Sequence, residues 1–418
     1  MSTEAATRTS FAELHLPLAP PEAVVEAERC LDCGGPYAPA PCSVACPAGI
    51  DVPSFVGALA RNQPAEAAET ILAENLLGGT CARVCPVELL CEGACVLAHE
   101  GRPPIQIAAL QRFATDWAFE EGILPRRVTA TPTGKRVAVI GAGPAGMACA
   151  GELAALGHAV EVYDGREEVG GLVRFGIAPY RQQVDPLPDE ARLVESLGVE
   201  FRLGEAIESP EALRRIEDDC DAVVLAVGLG ADLEPELPGS ELPGVWRSLE
   251  FIEALKTGRP PEVGARTVVI GGGNTAVDVA REAVRLGAVV VTLAYRRTEA
   301  EMPAYDHEVE EAREEGVTFH WLSAPTRFLG EHRLTGVECS LMQLGSPDDS
   351  GRRRPEVVPG SEFVLPADTA IVAIGQQPRR DLLSWIDGLE LDGSRMRVDG
   401  ATGRTENPKY YAAGDAVS

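Results

Sequence analysis

The chain has 418 residues, of which 45% are hydrophobic and 24% are charged, so it has a globular composition with room for two or three domains. Its 37 basic and 64 acidic side chains give a net charge of −27, which would repel a phosphate backbone and argues against nucleic-acid binding. The sequence contains neither an apolar run of roughly 18 residues, as a membrane span needs, nor a secretory signal at its start. We therefore expect a cytoplasmic protein that binds neither membrane nor nucleic acid.

Eight of the eleven cysteines fall in the first hundred residues. Without an export signal these thiols are expected to stay reduced, which favours metal ligation over disulfides. They are spaced as Cys30-x2-Cys33-x8-Cys42-x3-Cys46-Pro and Cys81-x3-Cys85-Pro-x4-Cys91-x3-Cys95. A Cys-Pro ending is typical of bacterial ferredoxins, so the pattern predicts two 4Fe-4S clusters, with structural zinc as the alternative. The spacing alone does not assign each thiolate to a cluster.

A glutamine lies close after the last of these cysteines. From Ile105 to Glu121 the apolar residues recur at helical spacing, and Gln111 falls on the same stripe. One interpretation is a core glutamine bound to backbone groups, and the other is a cluster ligand.

The rest of the chain predicts α/β structure. Two short apolar strands, ending at Ile140 and Ile270, each lead directly into glycines and a helical pattern, as in Rossmann-type β-α-β units. Later strands, 221–228 and 368–375, form a second matching pair. The predicted domains are a helical iron-sulfur domain (1–130), a first part of an FAD domain (131–255), an NAD(P)H domain (256–375) and a second part of the FAD domain (376–418).

The first glycine loop predicts an FAD site. Its residues are Gly141, Gly143, Pro144, Ala145 and Gly146, and they open a helix whose N-terminus suits a pyrophosphate. Asp164 ends the next strand, where a carboxylate would accept a ribose hydroxyl. Glycines farther along would let the chain pass close to a flavin. The additional flavin-site residues are Gly170, Gly171, Leu172, Gly228, Gly414 and Asp415.

The second glycine loop predicts an NADPH site. Its residues are Gly271, Gly272, Gly273, Asn274, Thr275 and Ala276, with Gly375 ending a neighbouring strand. The strand after the loop's helix ends in Arg296 and Arg297, where an NAD site would carry an acid, and guanidinium groups there suit the 2′-phosphate of NADPH. The alternative is a pair of solvated arginines.

In this order, the cysteine block, GAGPAG, GGGNTAVD, YRR followed by EMPA, and AAGD resemble the family of the glutamate synthase small subunit and the N-terminal electron-input half of dihydropyrimidine dehydrogenase. The resemblance covers nearly the whole chain. It implies an NAD(P)H domain inserted in the FAD domain. It also implies hydride transfer from NADPH or NADH to FAD, then single-electron transfer through two 4Fe-4S clusters to an FMN-containing catalytic partner in a hetero-oligomer.

The resemblance also implies cluster ligands. One cluster would be held by Cys30, Cys33, Cys42 and Gln111, and the other by Cys46, Cys85, Cys91 and Cys95. Cys81 would then be a spare thiol, whereas an all-cysteine set would use it in place of Gln111. The run from Ala109 to Asp116 resembles the dihydropyrimidine dehydrogenase branch and favours that type of partner, with the glutamate synthase small subunit as the alternative.

Three further expectations concern catalytic residues, the C-terminal end of the FAD domain and an arginine-rich stretch. Hydride transfer needs no general acid or base, so no catalytic residue is nominated, and His307 and His320 are expected to be surface or packing residues. Family members continue beyond the position of Ser418 into a helix that points at the flavin, so weaker FAD retention is expected. The polar, arginine-rich stretch 348–355 predicts a surface loop and is given no functional role.

Two rival functions share parts of these motifs. A thioredoxin-reductase-like enzyme needs a Cys-x-x-Cys pair close to the flavin, and the chain has this spacing only in Cys30 and Cys33, far upstream of the flavin motifs. A non-catalytic iron-sulfur subunit that responds to nucleotide is the alternative outside the enzymes.

Overall fold

The computed structural model describes residues 10–14, 16–35, 37–123, 127, 129–183, 185–347 and 351–417. It divides into two compact units, each with its own sheet. Unit I contains Glu13–Arg174, Arg181–Gly228 and Arg379–Ser418. Unit II contains the described residues 10–12 together with Phe175–Tyr180 and Leu229–Pro378.

The α-helices of the described residues follow in chain order. They are α1 (Pro20–Ala27), α2 (Pro41–Ala45), α3 (Val52–Ala60), α4 (Pro64–Glu74), α5 (Gly78–Val84), α6 (Val96–His99), α7 (Ile107–Glu120), α8 (Pro144–Ala155), α9 (Gly171–Phe175), α10 (Leu187–Ser196), α11 (Pro210–Asp219), α12 (Ser248–Lys256), α13 (Asn274–Arg285), α14 (Asp306–Glu314) and α15 (Arg380–Ser384). Short 3-10 helices cover Glu299–Glu301 and Gly414–Ala416. In the described ranges, no helix is both long and apolar enough to span a membrane.

The strands follow in the same way. They are β1 (Arg136–Ile140), β2 (Ala159–Asp164), β3 (Glu200–Leu203), β4 (Ala222–Leu225), β5 (Val245–Arg247), β6 (Arg266–Gly271), β7 (Val290–Tyr295), β8 (Val317–Trp321), β9 (Ser323–Leu329), β10 (Gly336–Pro347), β11 (Arg353–Val357), β12 (Phe363–Pro366), β13 (Thr369–Ala373), β14 (Leu391–Asp392), β15 (Arg395–Met396) and β16 (Tyr410–Ala412).

Helices α1 to α7 make up the N-terminal part of unit I, as the sequence predicts. Several of them begin at or next to a proline, which is favoured there because the first helical N–H groups have no intrahelical partner. They pack around a core in which Phe55, Ile71 and Leu110 have no exposed surface. The half-buried Cys30, Cys42, Cys46, Cys91 and Cys95 pack against this core.

Each unit contains a five-stranded parallel sheet. The order is β16-β4-β1-β2-β3 in unit I and β5-β13-β6-β7-β8 in unit II. The central strands β1, β6 and β13 are apolar runs buried along most of their length, as strands covered on both faces must be. Both glycine loops leave the carboxyl end of a central strand, which is the edge where parallel α/β sheets bind ligands.

Unit II also has an antiparallel sheet, in which β10 pairs with β9, β11 and β12. It includes part of the stretch predicted as a loop. Residues 348–350 of that stretch lie outside the described residues, whereas Arg353 to Pro355 belong to β11. The residues of β11 are mostly exposed and polar, so the local sequence does not indicate a strand. The hydrogen-bonded pairing with β10 stabilises the strand instead.

Candidate functional site

Four of the predicted cluster cysteines line one small cavity in unit I. They are Cys30, Cys33, Cys42 and Cys95. The remaining lining is mainly apolar and includes Val56, Leu97 and Ile107. Burial raises the pKa of Cys42 to about 11, and it also raises the pKa of Cys30. Clustered thiols in this environment resist ionisation unless a cation compensates the charge.

The other four cysteines form a second group. Cys85 interacts electrostatically with Cys81, Cys91 and Cys46. A hydrogen bond between Cys81 and Cys85 lowers the pKa of Cys81 to about 7 and raises that of Cys85, while burial raises the pKa of Cys91 to about 12. Helix α5 carries Cys81, and Cys85 is the C-cap residue that follows its last residue, so these two thiols lie one turn apart. We call the two sets the first and the second cysteine group.

This grouping differs from the ligand sets that the resemblance implied. The cavity of the first group contains Cys95, not Gln111. Gln111 is 8% exposed, and its Nε2 donates a hydrogen bond to the carbonyl of Gly78 at 2.7 Å. Gly78 is the first residue of α5, so Gln111 contacts the helix of the second group. The helical pattern correctly predicts that Gln111 lies on a buried face. It does not predict which cysteine group lies next to Gln111, because that depends on how the helices pack.

The first glycine loop connects β1 to α8 and leaves no room for side chains. A Cβ at Gly146 would lie 1.8 Å from the carbonyl oxygen of Gly141, and one at Gly141, where φ is +111°, would lie 2.3 Å from the carbonyl oxygen of Ala226. Gly143 is the N-cap of α8, and a Cβ there would have only Gly171 Cα within 4 Å, at 3.9 Å. The loop is therefore tight within the protein but open at the helix N-terminus, as phosphate binding requires.

Most of the predicted flavin-site residues converge on this helix start. A Cβ added at Gly171 would lie 3.0 Å from Gly143 Cα, and one at Gly414 would lie 2.7 Å from the Cβ of Ala145. Gly170 donates its N–H to the carbonyl of Ala142 at 2.8 Å, and Pro144 is the first residue of α8. Leu172 lies within α9 beside Gly171. Gly228 follows β4 with φ +59°, and the Asp415 side chain is exposed.

The carboxylate of Asp164 lies at the end of β2, as predicted, and it braces the loop. Its two oxygens accept hydrogen bonds from the N–H of Ala142 at 2.8 Å and of Arg166 at 2.9 Å. Each carboxylate oxygen has a second lone pair, so these bonds leave acceptor capacity for a ribose hydroxyl.

The second glycine loop joins β6 to α13 in unit II. A Cβ at Gly271 would lie 2.2 Å from the carbonyl oxygen of Ala373, and one at Gly272 would lie 2.4 Å from the ring of Tyr295. Gly273 is the N-cap of α13 and has open space beside it. The Asn274 side chain, predicted to bind nucleotide, accepts the N–H of Tyr305 at 3.0 Å and so fixes the segment after EMPA. Ala276 is buried under the loop.

A cleft of about 690 Å³ opens at this loop. Its lining contains the three loop glycines together with Thr275 and Gly375. Both predicted arginines line the cleft, but they differ in exposure: Arg296 is exposed, whereas Arg297 is only 5% exposed. The Nε–H of Arg297 donates a hydrogen bond to the carbonyl of Arg353 at 2.8 Å. The cleft has the size of a nucleotide site.

Two residues near the sites, Arg352 and Glu190, are not predicted from the sequence. Arg352 lines the same cleft, although its stretch carried no signal beyond polarity. In unit I, the fully buried Glu190 of α10 accepts hydrogen bonds from the N–H and the hydroxyl of Thr80, at 2.8 and 2.6 Å. Thr80 lies in α5, next to Cys81, so Glu190 fixes the helix of the second cysteine group. The sequence separation of 110 residues hides this contact.

Two protein-family models match the chain. Residues 135–418 match the pyridine nucleotide-disulphide oxidoreductase family, and residues 7–123 match dihydropyrimidine dehydrogenase domain II, 4Fe-4S cluster. These matches confirm the predicted order of an iron-sulfur region followed by an α/β oxidoreductase region.

Proteins similar in sequence point to the same kind of enzyme, and a solved structure shares the fold. The small chain of glutamate synthase [NADPH] from Halomonas elongata is 40% identical over 97% of this chain and 88% of its own length. The Escherichia coli K12 small chain is 37% identical over 98% of this chain and 89% of its own. FprA of Mycobacterium tuberculosis, solved with NADPH, shares the fold: its TM-score is 0.56 at 21% identity, covering 69% of this chain and 79% of that one.

These findings confirm the prediction of an NAD(P)H-dependent oxidoreductase with FAD and 4Fe-4S cofactors. The chain belongs to the pyridine nucleotide-disulphide oxidoreductase family, in the group that includes the glutamate synthase small chains.

Proposed function

We propose that this chain is an electron-input subunit that takes hydride from NADPH and passes single electrons to a separate catalytic subunit. The observation that carries the proposal is that unit I combines the first glycine loop with both cysteine groups. A nucleotide site and one-electron centres in one compact unit suit the conversion of a two-electron donor into one-electron steps.

We assign each cysteine group to one 4Fe-4S cluster. The first group, Cys30, Cys33, Cys42 and Cys95, supplies four sulfur ligands to one cavity. In the second group Cys46, Cys85 and Cys91 are joined by either Cys81 or Gln111, both of which contact or belong to α5. The fit rests on donor chemistry: dense, half-buried thiols with raised pKa values become favourable ligands once a cationic cluster compensates their charge. Among the described residues, the structure shows no three His, Cys, Asp or Glu side chains placed to hold a single metal ion, so the cluster ligand sets rest on this donor chemistry and stay a proposal.

We assign FAD to the first loop. The open N-terminus of α8 at Gly143 would face the pyrophosphate, and Asp164 would accept a ribose hydroxyl while it braces Ala142. Gly171 and Gly414 come close enough to α8 to form the walls of a narrow site. When bound, FAD supplies the acceptor for hydride and the donor of single electrons.

We assign NADPH to the second loop. The N-terminus of α13 at Gly273 would bind its pyrophosphate, and the exposed Arg296 would bind the 2′-phosphate. Unit II interrupts unit I along the chain, which supports a nicotinamide-nucleotide domain inserted in an FAD domain. The predicted boundaries at residues 130, 255 and 375 stay part of this proposal.

The partner we propose is a glutamate synthase large subunit that contains FMN. The run around Gln111 favours a dihydropyrimidine dehydrogenase-type partner, but the relatives support the alternative, because glutamate synthase small chains match at 37–40% identity over nearly the full chain. The run around Gln111 alone was too short to separate the two branches. Cysteines that serve as cluster ligands must stay reduced, as thiols do in the cytoplasm, which we retain as the proposed location.

The test is reconstitution of the purified chain with either kind of catalytic subunit. We expect NADPH-dependent glutamate formation with a glutamate synthase large subunit and none with a dihydropyrimidine dehydrogenase catalytic subunit. Reduction of an artificial acceptor by this chain alone checks that the input half is active. Turnover with the artificial acceptor but not with the glutamate synthase subunit would refute the proposed partner, while no NADPH oxidation at all would refute the proposed function.

A further inference from the structure

We infer that Arg352 is a further phosphate ligand of the nucleotide cleft and helps to select NADPH over NADH. The inference rests on the proposed function, since it concerns the nucleotide assigned to the second loop. Arg352 lines the cleft together with Arg296 and Arg297, although it comes from the segment between β10 and β11 rather than from the sheet edge.

Two contacts fix the chain immediately after Arg352. The buried Arg297 donates its Nε–H to the carbonyl of Arg353 at 2.8 Å. The Arg353 guanidinium pairs with Glu301 at 2.8 Å, and Glu301 in turn accepts the N–H of Thr298 at 3.2 Å. These bonds tie the start of β11 to the segment that follows β7, and they hold the neighbouring Arg352 at the cleft.

The same contacts change the role expected of Arg297. Its side chain is buried, and one donor is committed to the backbone of β11. Arg296 and Arg352 also line the cleft, and both are exposed rather than buried. Arg297 is therefore placed as a positioning residue for Arg352, and the two exposed guanidinium groups are the better candidates for direct phosphate contact.

The charge of the cleft supports a phosphate ligand. The whole chain carries a net charge of −27, yet three arginines line this one cleft. The cleft lining contains two acidic residues. One of them, Asp232, accepts hydrogen bonds from the Ser248 hydroxyl at 2.8 Å and from the Leu249 N–H at 2.7 Å. A phosphate monoester carries close to two negative charges at neutral pH, and guanidinium groups bind it through paired hydrogen bonds. The 2′-phosphate is the one group that NADPH has and NADH lacks.

The test compares two small probes on the full chain by isothermal titration calorimetry: 2′,5′-ADP, which has the 2′-phosphate, and 5′-AMP, which does not. Arg352→Ala is expected to weaken 2′,5′-ADP binding about tenfold or more and to leave 5′-AMP binding unchanged, because a charged hydrogen-bonding group is lost. Arg352→Lys should recover part of the affinity, since it keeps the charge but not the paired geometry.

Arg354→Ala is the matched control, because Arg354 lies in β11 only two residues after Arg352 but is not among the described residues that line the cleft. The inference is overturned if Arg352→Ala leaves 2′,5′-ADP binding intact, or if it weakens both probes equally. If the unmodified chain itself does not prefer 2′,5′-ADP, the assignment of NADPH fails together with the inference. If the unmodified chain prefers it and only Arg352 is without effect, the inference alone fails.

Discussion

Glu190 gives the most quantitative test of how the iron-sulfur helices are joined to the sheet of unit I. Its carboxyl has no exposed surface and accepts two hydrogen bonds from Thr80 of α5. Burial raises its pKa from 4.5 to about 7, because the hydrogen bonds from Thr80 offset only part of the cost of removing a charge from water. Glu190→Gln has nearly the same shape, keeps an acceptor for the Thr80 N–H and removes the ionisation.

The sign of the pH dependence follows from the raised pKa. Below about pH 4.5 both folded and unfolded chains hold the proton, and the contribution of Glu190 to stability is fully present. As the pH rises toward 7, the unfolded chain releases the proton before the folded chain does, so this contribution is lost. At about 1.4 kcal/mol per pH unit, the interval between the two pKa values corresponds to about 3 kcal/mol.

The assay is anaerobic thermal unfolding of the cofactor-loaded chain and of Glu190→Gln at several pH values from 5 to 8. Raising the pH should increase the Tm of the variant relative to that of the unmodified chain by a few degrees. Glu195→Gln changes an exposed glutamate of the same helix and should show no such trend. A constant Tm difference between the Glu190 variant and the unmodified chain across this pH range would show that the pKa of Glu190 is not raised by burial.

Two further predictions concern the loops and the clusters. Gly146→Ala should abolish FAD binding because its Cβ would lie 1.8 Å from the Gly141 carbonyl oxygen, whereas Gly143→Ala should fold normally and lose only flavin affinity. Circular dichroism and the flavin-to-protein ratio distinguish the two variants. Equal behaviour of the two variants would contradict the loop geometry. Cys95→Ser should lose about half of the iron and sulfide that two four-iron clusters contain, while Cys149→Ser on α8 should retain all of it. Full iron content in the Cys95 variant would refute its assignment as a ligand.

Local sequence patterns predict much of the fold. Apolar runs that lead into glycines locate β1 and β6 together with the helices that follow them, because strand, turn and helix signals are all contiguous there. The helical stripe places Gln111 on a buried face in the same way. The steric demands at Gly146 and Gly271 explain why glycine stands at these positions.

What the sequence does not predict depends on contacts between distant segments. Cysteine spacing predicts candidate cluster ligands, but the packing of short helices brings Cys95, rather than Gln111, to the first cysteine group. The contact between Glu190 and Thr80 joins segments 110 residues apart. Arg352 lines the cleft because the strand that follows it, β11, pairs with β10 and is hydrogen-bonded to Arg297, whereas the polar sequence of this stretch predicts a loop.

An anaerobic visible spectrum of the purified chain before and after one equivalent of NADPH, with iron, sulfide and flavin measured on the same sample, tests the proposed electron path from end to end. We expect about eight irons, as two 4Fe-4S clusters require, with FAD present and both the flavin and the cluster absorbance bleached by NADPH. Zinc in place of iron, or flavin and clusters that NADPH leaves oxidised, would contradict this electron path.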